Sequence, residues 1–383
     1  MYQSQRPAAR SARIRAVRSV RTRSIGARAG AITAALVLLT VGACTKAAEP
    51  PAAAATGGDG GAGSGQQVAS TTGASADGCT AETYNGGVPK LDLKTITVGF
   101  AQSEKEANPF RITETESIKE EAAKRGIDLI TTNAQSDLNK EIADIQSMIA
   151  QGAQALIISP LNSEGLDPAL EAAKDAGVPI MTIDRLLTSK TPCVDYIGWI
   201  GSDFVEQGKR AADAMGEATG GQGQVAILLG ASGVNVTVDR TKGFKDQLAA
   251  TGSALQVVAE QTADFTREKG RSVTEQLISA NPGITAIYAE NDEMALGAVA
   301  ALKAAGKQPG DVKIITIDGT QGAVQGIVDG WIAGVIESNP RFGPLAFQAL
   351  EDFYSGTGVA AQTIISDKEY TPENAAAELV NAY

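Results

Sequence analysis

Ile180-Met181-Thr182-Ile183-Asp184-Arg185 is a short apolar run that stops at an acid–base pair. The same grammar recurs throughout the chain after residue 90. Val98–Phe100 leads into Gln102-Ser103-Glu104, Ala286–Tyr288 stops at Glu290-Asn291-Asp292, and Ile314–Ile317 stops at Asp318-Gly319. Runs this short and this apolar read as strands buried on both faces, and their alternation with amphipathic stretches implies a parallel sheet. Open sheets of that kind bind ligands outside the carboxyl ends of their strands. The charged and amide groups therefore stand where such a fold makes its pocket.

Outward from that run, the pattern starts at Lys90. Strands are expected at 95–101, 127–132, 155–159, 180–183 and 196–200, and helices at 109–125, after Asp137, up to Ala176 and at 203–219. Asp137 caps a helix that sets Ile142, Ile145 and Ile149 on one face. A second series has strands at 224–229, 255–261, 284–288, 312–317 and 332–336, with helices at 236–250, 267–280, 292–305 and 320–329. A last helix at 340–355 precedes a short tail. Each unit spans about 25–30 residues, as βα units do. Similar series on either side of residue 200 predict an α/β fold of two doubly wound parallel-sheet lobes with a ligand cleft between them. The N-terminal lobe is expected at 89–202 plus 338–366, and the C-terminal lobe at 203–337 plus 367–383.

The 383 residues carry a formal charge of −11, but unevenly. Eight of the 33 basic residues are Arg within the first 43 positions, which hold no acid; the remaining 25 face 44 acids, a formal −19. So acidic a body lacks the basic footprint that nucleic acid or an anionic membrane surface requires. There is no histidine. That removes a Ser-His-Asp triad, a Cys-His pair, His-ligated zinc and His acid–base chemistry together.

Residues 1–28 form an Arg-rich segment, and Ala29–Ala43 is an apolar stretch ending Val41-Gly42-Ala43-Cys44. Fifteen residues are short of the roughly 20 that span a bilayer and fit an export signal at 1–43. Small residues followed by Cys resemble the lipobox of bacterial lipoproteins. That resemblance implies cleavage before Cys44 and a lipid on its thiol, which would anchor the chain to the outer face of the cytoplasmic membrane. An ordinary signal peptide with an incidental Cys is the other reading. Residues 44–88, with Pro50-Pro51, an Ala run and Gly-rich 56–67, have little to bury and are expected to be a disordered tether. Cys79 and Cys193 suggest one disulfide in an exported chain; two free thiols are the alternative.

Six short motifs in fixed order, 98–102, Asp184-Arg185, Asp239-Arg240 before Gly243-Phe244, Asp264–Arg267, Asn291–Ala295 and Ile317–Gly319, together resemble the periplasmic sugar-binding proteins of the ribose/galactose type. The resemblance spans about residues 95–370 and is strongest to the galactofuranose-binding branch. That branch carries a Glu and an Arg in the first strand–helix loop, as in Glu106 and Arg111, and the string Asp264-Phe265-Thr266-Arg267-x-Lys269-Gly270. The resemblance implies the type I periplasmic-binding fold, three crossovers between lobes, closure on one sugar and delivery to an ABC permease. It implies Gln102 and Glu106 as polar groups of the first loop and Phe110 as a ring stacked on the sugar. Arg111, Asp184 and Arg185 would then bind hydroxyls, Arg240 would reach in from the second lobe, and Phe265 would oppose Phe110. Asn291 and Asp318 are further hydroxyl binders, and Glu337 stands where relatives carry a Gln at a crossover. The branch has Gly-Trp before its Arg, whereas this chain has Pro109-Phe110, a smaller ring on a stiffer turn.

Sugar hydroxyls donate and accept, carboxylates accept twice and guanidinium donates as a planar fork, so Asp, Asn and Arg at strand ends suit such a ligand. Singly, each residue has a plainer reading. Asp184-Arg185 reads as an exposed ion pair, Asn291 as a helix cap, Asp318-Gly319 as a turn, Glu106 and Arg111 as a solvated helix start, and both Phe as core. Asp239 has two readings, a ligand group or an orienter of Arg240, and Arg267 a ligand group or a structural cation. The expected function is capture of a monosaccharide by a monomeric binding protein, with no enzyme activity, cofactor or metal. A sensor of the same fold signalling to a chemoreceptor or kinase is the alternative. A glycosidase using Asp184 and Asp318 is disfavoured, because Arg185 beside Asp184 favours an ionised binder over a raised-pKa acid.

Overall fold

The computed structural model describes residues 66–72 and 78–383, so the expected signal peptide, Cys44 and most of the expected tether lie outside the described residues. Ala155, Leu156, Ile157 and Ile158 are fully buried, because strand β4 (Ala153–Ser159) lies in the middle of a sheet. β2 (Thr97–Gln102) pairs with it in parallel on one side and β5 (Ile180–Ile183) on the other. β3 (Asp128–Asn133) extends the sheet beyond β2, and β6 (Trp199–Gly201) and β12 (Gln362–Ile365) extend it beyond β5, all in parallel. β1 (Val68–Thr72) closes this edge, antiparallel to β12.

The second sheet runs β13 (Glu369–Tyr370), β11 (Gly334–Glu337), β10 (Lys313–Asp318), β9 (Ala286–Ala289), β7 (Gln222–Leu229), β8 (Ala254–Thr262). Only β13 is antiparallel to its neighbour. The chain passes from the first sheet to the second after Gly201, returns after Glu337 and crosses again after Ile365. Helices α1 (Pro109–Arg125), α2 (Leu138–Ala150) and α3 (Asp167–Asp175) link strands of the first sheet. Helices α4 (Phe204–Thr219), α5 (Asn235–Ala250), α6 (Arg267–Ala280), α7 (Asp292–Ala304) and α8 (Gln321–Val328) serve the second. Helix α9 (Gly343–Ser355) returns to the first lobe, where Phe342, Phe347 and Leu350 share a core with Phe110 and Ile118. Among the described residues no helix is long and apolar enough to cross a membrane.

Local chemistry sets the helix ends nearest the cleft. Asn108 caps α1 by accepting from the Arg111 amide at 2.9 Å, Pro109 takes the first helical position, and Gly126 ends the helix at φ +71°. Helices α4 and α5 touch backbone to backbone: a Cβ on Gly208 would stand 2.2 Å from the Arg240 carbonyl oxygen, and one on Gly243 2.0 Å from that of Val205. This close approach brings Arg240 to the cleft. Gly208→Ala is expected to lose about 1–3 kcal/mol through overpacking and to move Arg240 off its partners. Urea unfolding of the variant checks this, and an unchanged midpoint would refute it.

Two expectations need correction here. The described part of the 44–88 segment is ordered. Cys79 and Cys193 are joined with Cα atoms 5.4 Å apart, Ala81 and Tyr84 are buried, and the Tyr84 ring meets Phe353 edge-on at 5.7 Å. β1 has no hydrophobic signature because all five of its residues are exposed, so only backbone pairing marks it. The stretch after Ser355 is more than a tail: it supplies β12 and β13 to the two sheets and a short helix α10 (Ala375–Glu378).

Candidate functional site

The carboxyl ends of β2, β4 and β5 place one wall of a pocket. Arg111, in the first turn of α1, is its centre. Its Nε donates to Glu104 at 2.7 Å, and its Nη1 to Glu114 at 2.9 Å and to Ser159 Oγ at 3.0 Å, while Asp184 is ion-paired with the same Nη1 at 2.8 Å. Arg185 shares Glu104 at 2.8 Å through Nη2 and donates from Nη1 to the Leu161 carbonyl at 2.6 Å. The Arg185 Nε is buried without a hydrogen-bond partner. Three carboxylates thus surround two guanidinium groups. Burial raises the Glu104 carboxyl, but Arg185 and Arg111 together overcome it and hold the group at about 2. Glu114 is pushed up by burial and by Asp184, against the pull of Arg111. The Phe110 ring completes this wall with the Arg111 guanidinium 5.0 Å from its centroid.

The opposite wall comes from the carboxyl ends of β8, β9 and β10 and from α5. Arg240 is gripped on two sides, Nε donating to Gln207 Oε1 at 2.9 Å and Nη1 to the Glu290 carbonyl at 2.6 Å. Its Nη2 lies 3.9 Å from Asp318. Asn291 caps α7 by accepting from the Met294 amide at 3.0 Å and donates to the Phe265 carbonyl at 3.3 Å. The Asp318 carboxyl is pushed well up by burial and by Asp292 beside it. Asp292 itself accepts from the Gly319 and Thr320 amides at 3.0 and 2.7 Å, yet burial still raises it to about 7. Three wall residues hold left-handed backbone without being glycine: Asp184 at φ +61°, Phe265 at +57° and Asp318 at +143°. Such conformations cost of order 1–3 kcal/mol each and persist where the surroundings over-determine them.

Between the walls is a cavity with about 370 Å³ of atom-free space, its mouth included. Phe110, Arg111, Asp184, Arg185, Arg240, Phe265, Asn291 and Asp318 all line it. Four of the expected residues do not. Gln102 lies beneath the wall, donating to Glu114 at 2.7 Å and Thr115 at 3.2 Å. Glu106 is exposed and accepts from Thr115 at 3.1 Å. Asp239 accepts from Asn235 at 3.1 Å, one turn earlier in α5, and does not line the cavity although Arg240 beside it does. Glu337 accepts from the Tyr370 hydroxyl at 3.1 Å and the Lys368 amide at 3.0 Å, which fastens a crossover. Arg267 is a structural cation, bidentate to Glu293 at 2.9 and 2.7 Å. Glu104, Asn108 and Val236 line the cavity without having been expected there. Glu104 ends the Gln102-Ser103-Glu104 loop, and its place after a buried strand was the available signal.

A family model described as a periplasmic binding protein domain matches residues 98–356. A ribose import binding protein of Bacillus subtilis (strain 168) is 37% identical over 267 residues, covering 70% of this chain and 84% of its own. A galactofuranose-binding protein of Escherichia coli (strain K12) is 35% identical over 290 residues, covering 74% and 90%. Among solved structures, the periplasmic binding protein of an arabinose ABC transporter from Shewanella sp. ANA-3, bound to α- and β-L-arabinofuranose, superposes with a TM-score of 0.71. It is 35% identical and covers 74% of this chain and 95% of its own. The chain belongs to the periplasmic binding protein family.

A periplasmic binding protein puts its two pocket walls on different lobes, and here the lobes also touch outside the pocket. Asn235, at the start of α5, donates from its amide to Ser163 Oγ at 2.8 Å and accepts from the Leu186 amide at 3.1 Å. The Ser163 amide donates to the Gly233 carbonyl at 3.1 Å. Val234 and Val236 of the second lobe pack with Leu166 and Leu187 of the first. These contacts cover the cleft beside the Arg111–Arg240 pocket.

Proposed function

We propose that the chain captures one monosaccharide, in furanose form, by closure of its lobes and hands it to an ABC permease. The observation that carries this reading is the two-walled pocket itself. Arg111, Asp184 and Arg185 on one lobe face Arg240, Asn291 and Asp318 on the other, with the Phe110 and Phe265 rings also on the wall. Charge-assisted hydrogen bonds to hydroxyls and flat rings for C–H faces are the two halves of a sugar site. The relatives that bind galactofuranose and arabinofuranose support the five-membered ring, and the ribose import relative keeps pentoses in view. The same reading includes export, a lipid on Cys44 and a monomer held at the outer face of the membrane.

The test is thermal unfolding of the purified full chain, freed of carried-over solute, against L-arabinose, D-galactose, D-fucose, D-ribose, D-xylose, D-fructose and myo-inositol. A sugar at 100 times its Kd adds about 2.7 kcal/mol, a rise of several degrees in Tm. Asp184→Asn is expected to weaken that sugar about 10- to 100-fold, the worth of one or two charge-assisted hydrogen bonds. A folded sample that no sugar shifts would sink the sugar reading.

A further inference from the structure

Tyr383 touches both lobes and a crossover at once. Its amide donates to the Gly319 carbonyl at 3.3 Å, and its carbonyl accepts from the Gln321 amide at 2.7 Å, so its backbone belongs to the turn that follows Asp318. Its ring reaches the other lobe, edge-on to Phe110 with centroids 6.2 Å apart and planes at 72°. Its hydroxyl donates to the Ser338 carbonyl at 3.0 Å, on the crossover after β11, and the Arg341 guanidinium lies 5.8 Å from the ring centroid. Ser338 in turn donates from its amide to the Asp318 carbonyl at 2.7 Å. Among the described residues Phe110 has one other aromatic neighbour, Phe342, at 6.4 Å and 62°. Two edge-on rings and the Arg111 guanidinium therefore fix the plane of Phe110.

We propose that Tyr383 is a positioning residue of the binding site: it sets the Phe110 ring against the ligand and ties that wall to the Asp318 turn of the opposite lobe. The inference deepens the sugar reading and rests on it for its affinity arm. Tyr383 does not line the cavity, so it acts through Phe110. When the lobes part, the backbone bonds of Tyr383 move with Gly319 while Phe110 moves with α1. The ring contact is therefore made only near the lobe arrangement seen here, and it adds to ligand affinity in that arrangement alone.

The experiment has two arms, both on the full chain. In the first, calorimetry measures L-arabinose and D-galactose binding to wild type, Tyr383→Phe, Tyr383→Ala, Phe110→Ala and the Phe110→Ala/Tyr383→Ala double variant. Tyr383→Ala is expected to bind about tenfold more weakly, as loss of one aromatic edge contact and its anchoring implies. Tyr383→Phe keeps the ring and should stay within about fivefold of wild type, the worth of one neutral hydrogen bond. In the Phe110→Ala background, Tyr383→Ala should add almost nothing. An equal penalty in both backgrounds, or wild-type affinity of Tyr383→Ala, would overturn the proposal. The second arm needs no sugar. Hydrogen exchange at the Ser163 and Leu186 amides, whose acceptors lie on the other lobe, should speed up in Tyr383→Ala and hardly change in Tyr383→Phe. Unchanged exchange in Tyr383→Ala refutes the tie between lobes even if no sugar binds wild type, so failure of the sugar reading and failure of this inference are told apart.

Discussion

An Arg111→Met variant is expected to lose about 3–5 kcal/mol of unfolding free energy, the measured scale for removing one partner from a buried ion pair. Its affinity for sugar should fall about 100-fold when two charge-assisted bonds go. The reason is the count of charges around it. Arg111 contacts Glu104, Glu114 and Asp184, and only Glu104 has a second cation, in Arg185. Methionine fills the volume of the stem but leaves Asp184 buried without a counter-charge and Glu114 without its guanidinium donor. Glu114→Gln should behave differently. Its Oε1 already lacks a partner and burial already favours its neutral form, so a neutral amide should change stability by no more than about 1 kcal/mol. The double variant should recover part of the Arg111→Met loss. Urea midpoints of the four proteins measure all of this. Equal stability of wild type and Arg111→Met would show that the carboxylates reprotonate at no cost and that Arg111 holds nothing together.

The residues at the strand ends could be read from the sequence because the strand period and the carboxyl-end rule act locally. Asp184-Arg185, Asn291 and Asp318 each follow an apolar run, and all of them reach the cavity. Gln102 also ends a run but points into the lobe beneath, where it holds Glu114, and Glu104 two residues on reaches the cavity instead. That choice depends on where α1 sits, which no local pattern encodes. Glu106 and Asp239 lie one or two residues from true wall positions, on faces that only the packed helices decide. The crossover residues were harder still. Glu337 ends β11 like a binding group, yet the later β13 brings Tyr370 and Lys368 to claim its carboxyl. β1 and β12 carry little buried surface, so their pairing left no hydrophobic period to read. Tyr383 stands far from every motif in the chain, and only the folded path shows it against Phe110.

Stability should be greatest in mild acid and fall from pH 5 to pH 8. Burial raises four carboxyls, Glu141, Glu290, Asp292 and Asp367, each to about 7. The folded chain then holds protons that the unfolded chain releases near pH 4. The stability these groups lend is complete below that pH and is lost as pH rises through 7. Glu104 has the opposite sign: Arg185 and Arg111 hold it at about 2 against burial, so its contribution exists above its unfolded value and is lost as pH falls toward 2. The two trends meet near pH 5. A carboxyl that holds its proton tenfold more tightly in the folded chain contributes about 1.4 kcal/mol, so four carboxyls raised together lower stability by several kcal/mol between pH 5 and pH 8. Glu141→Gln isolates one of them. Glu141 accepts from the Leu161 amide and does not line the cavity, so its amide variant should flatten the profile while sugar binding survives. Urea midpoints at pH 5 and pH 8 give the answer. Equal midpoints would mean that these carboxyls stay ionised in the fold, their burial offset by bonds from Leu161, Gly230, Thr241, Gly319 and Thr320. The second wall of the pocket would then carry more negative charge than Arg240 alone can balance, and a ligand would have to bring its own donors to close it.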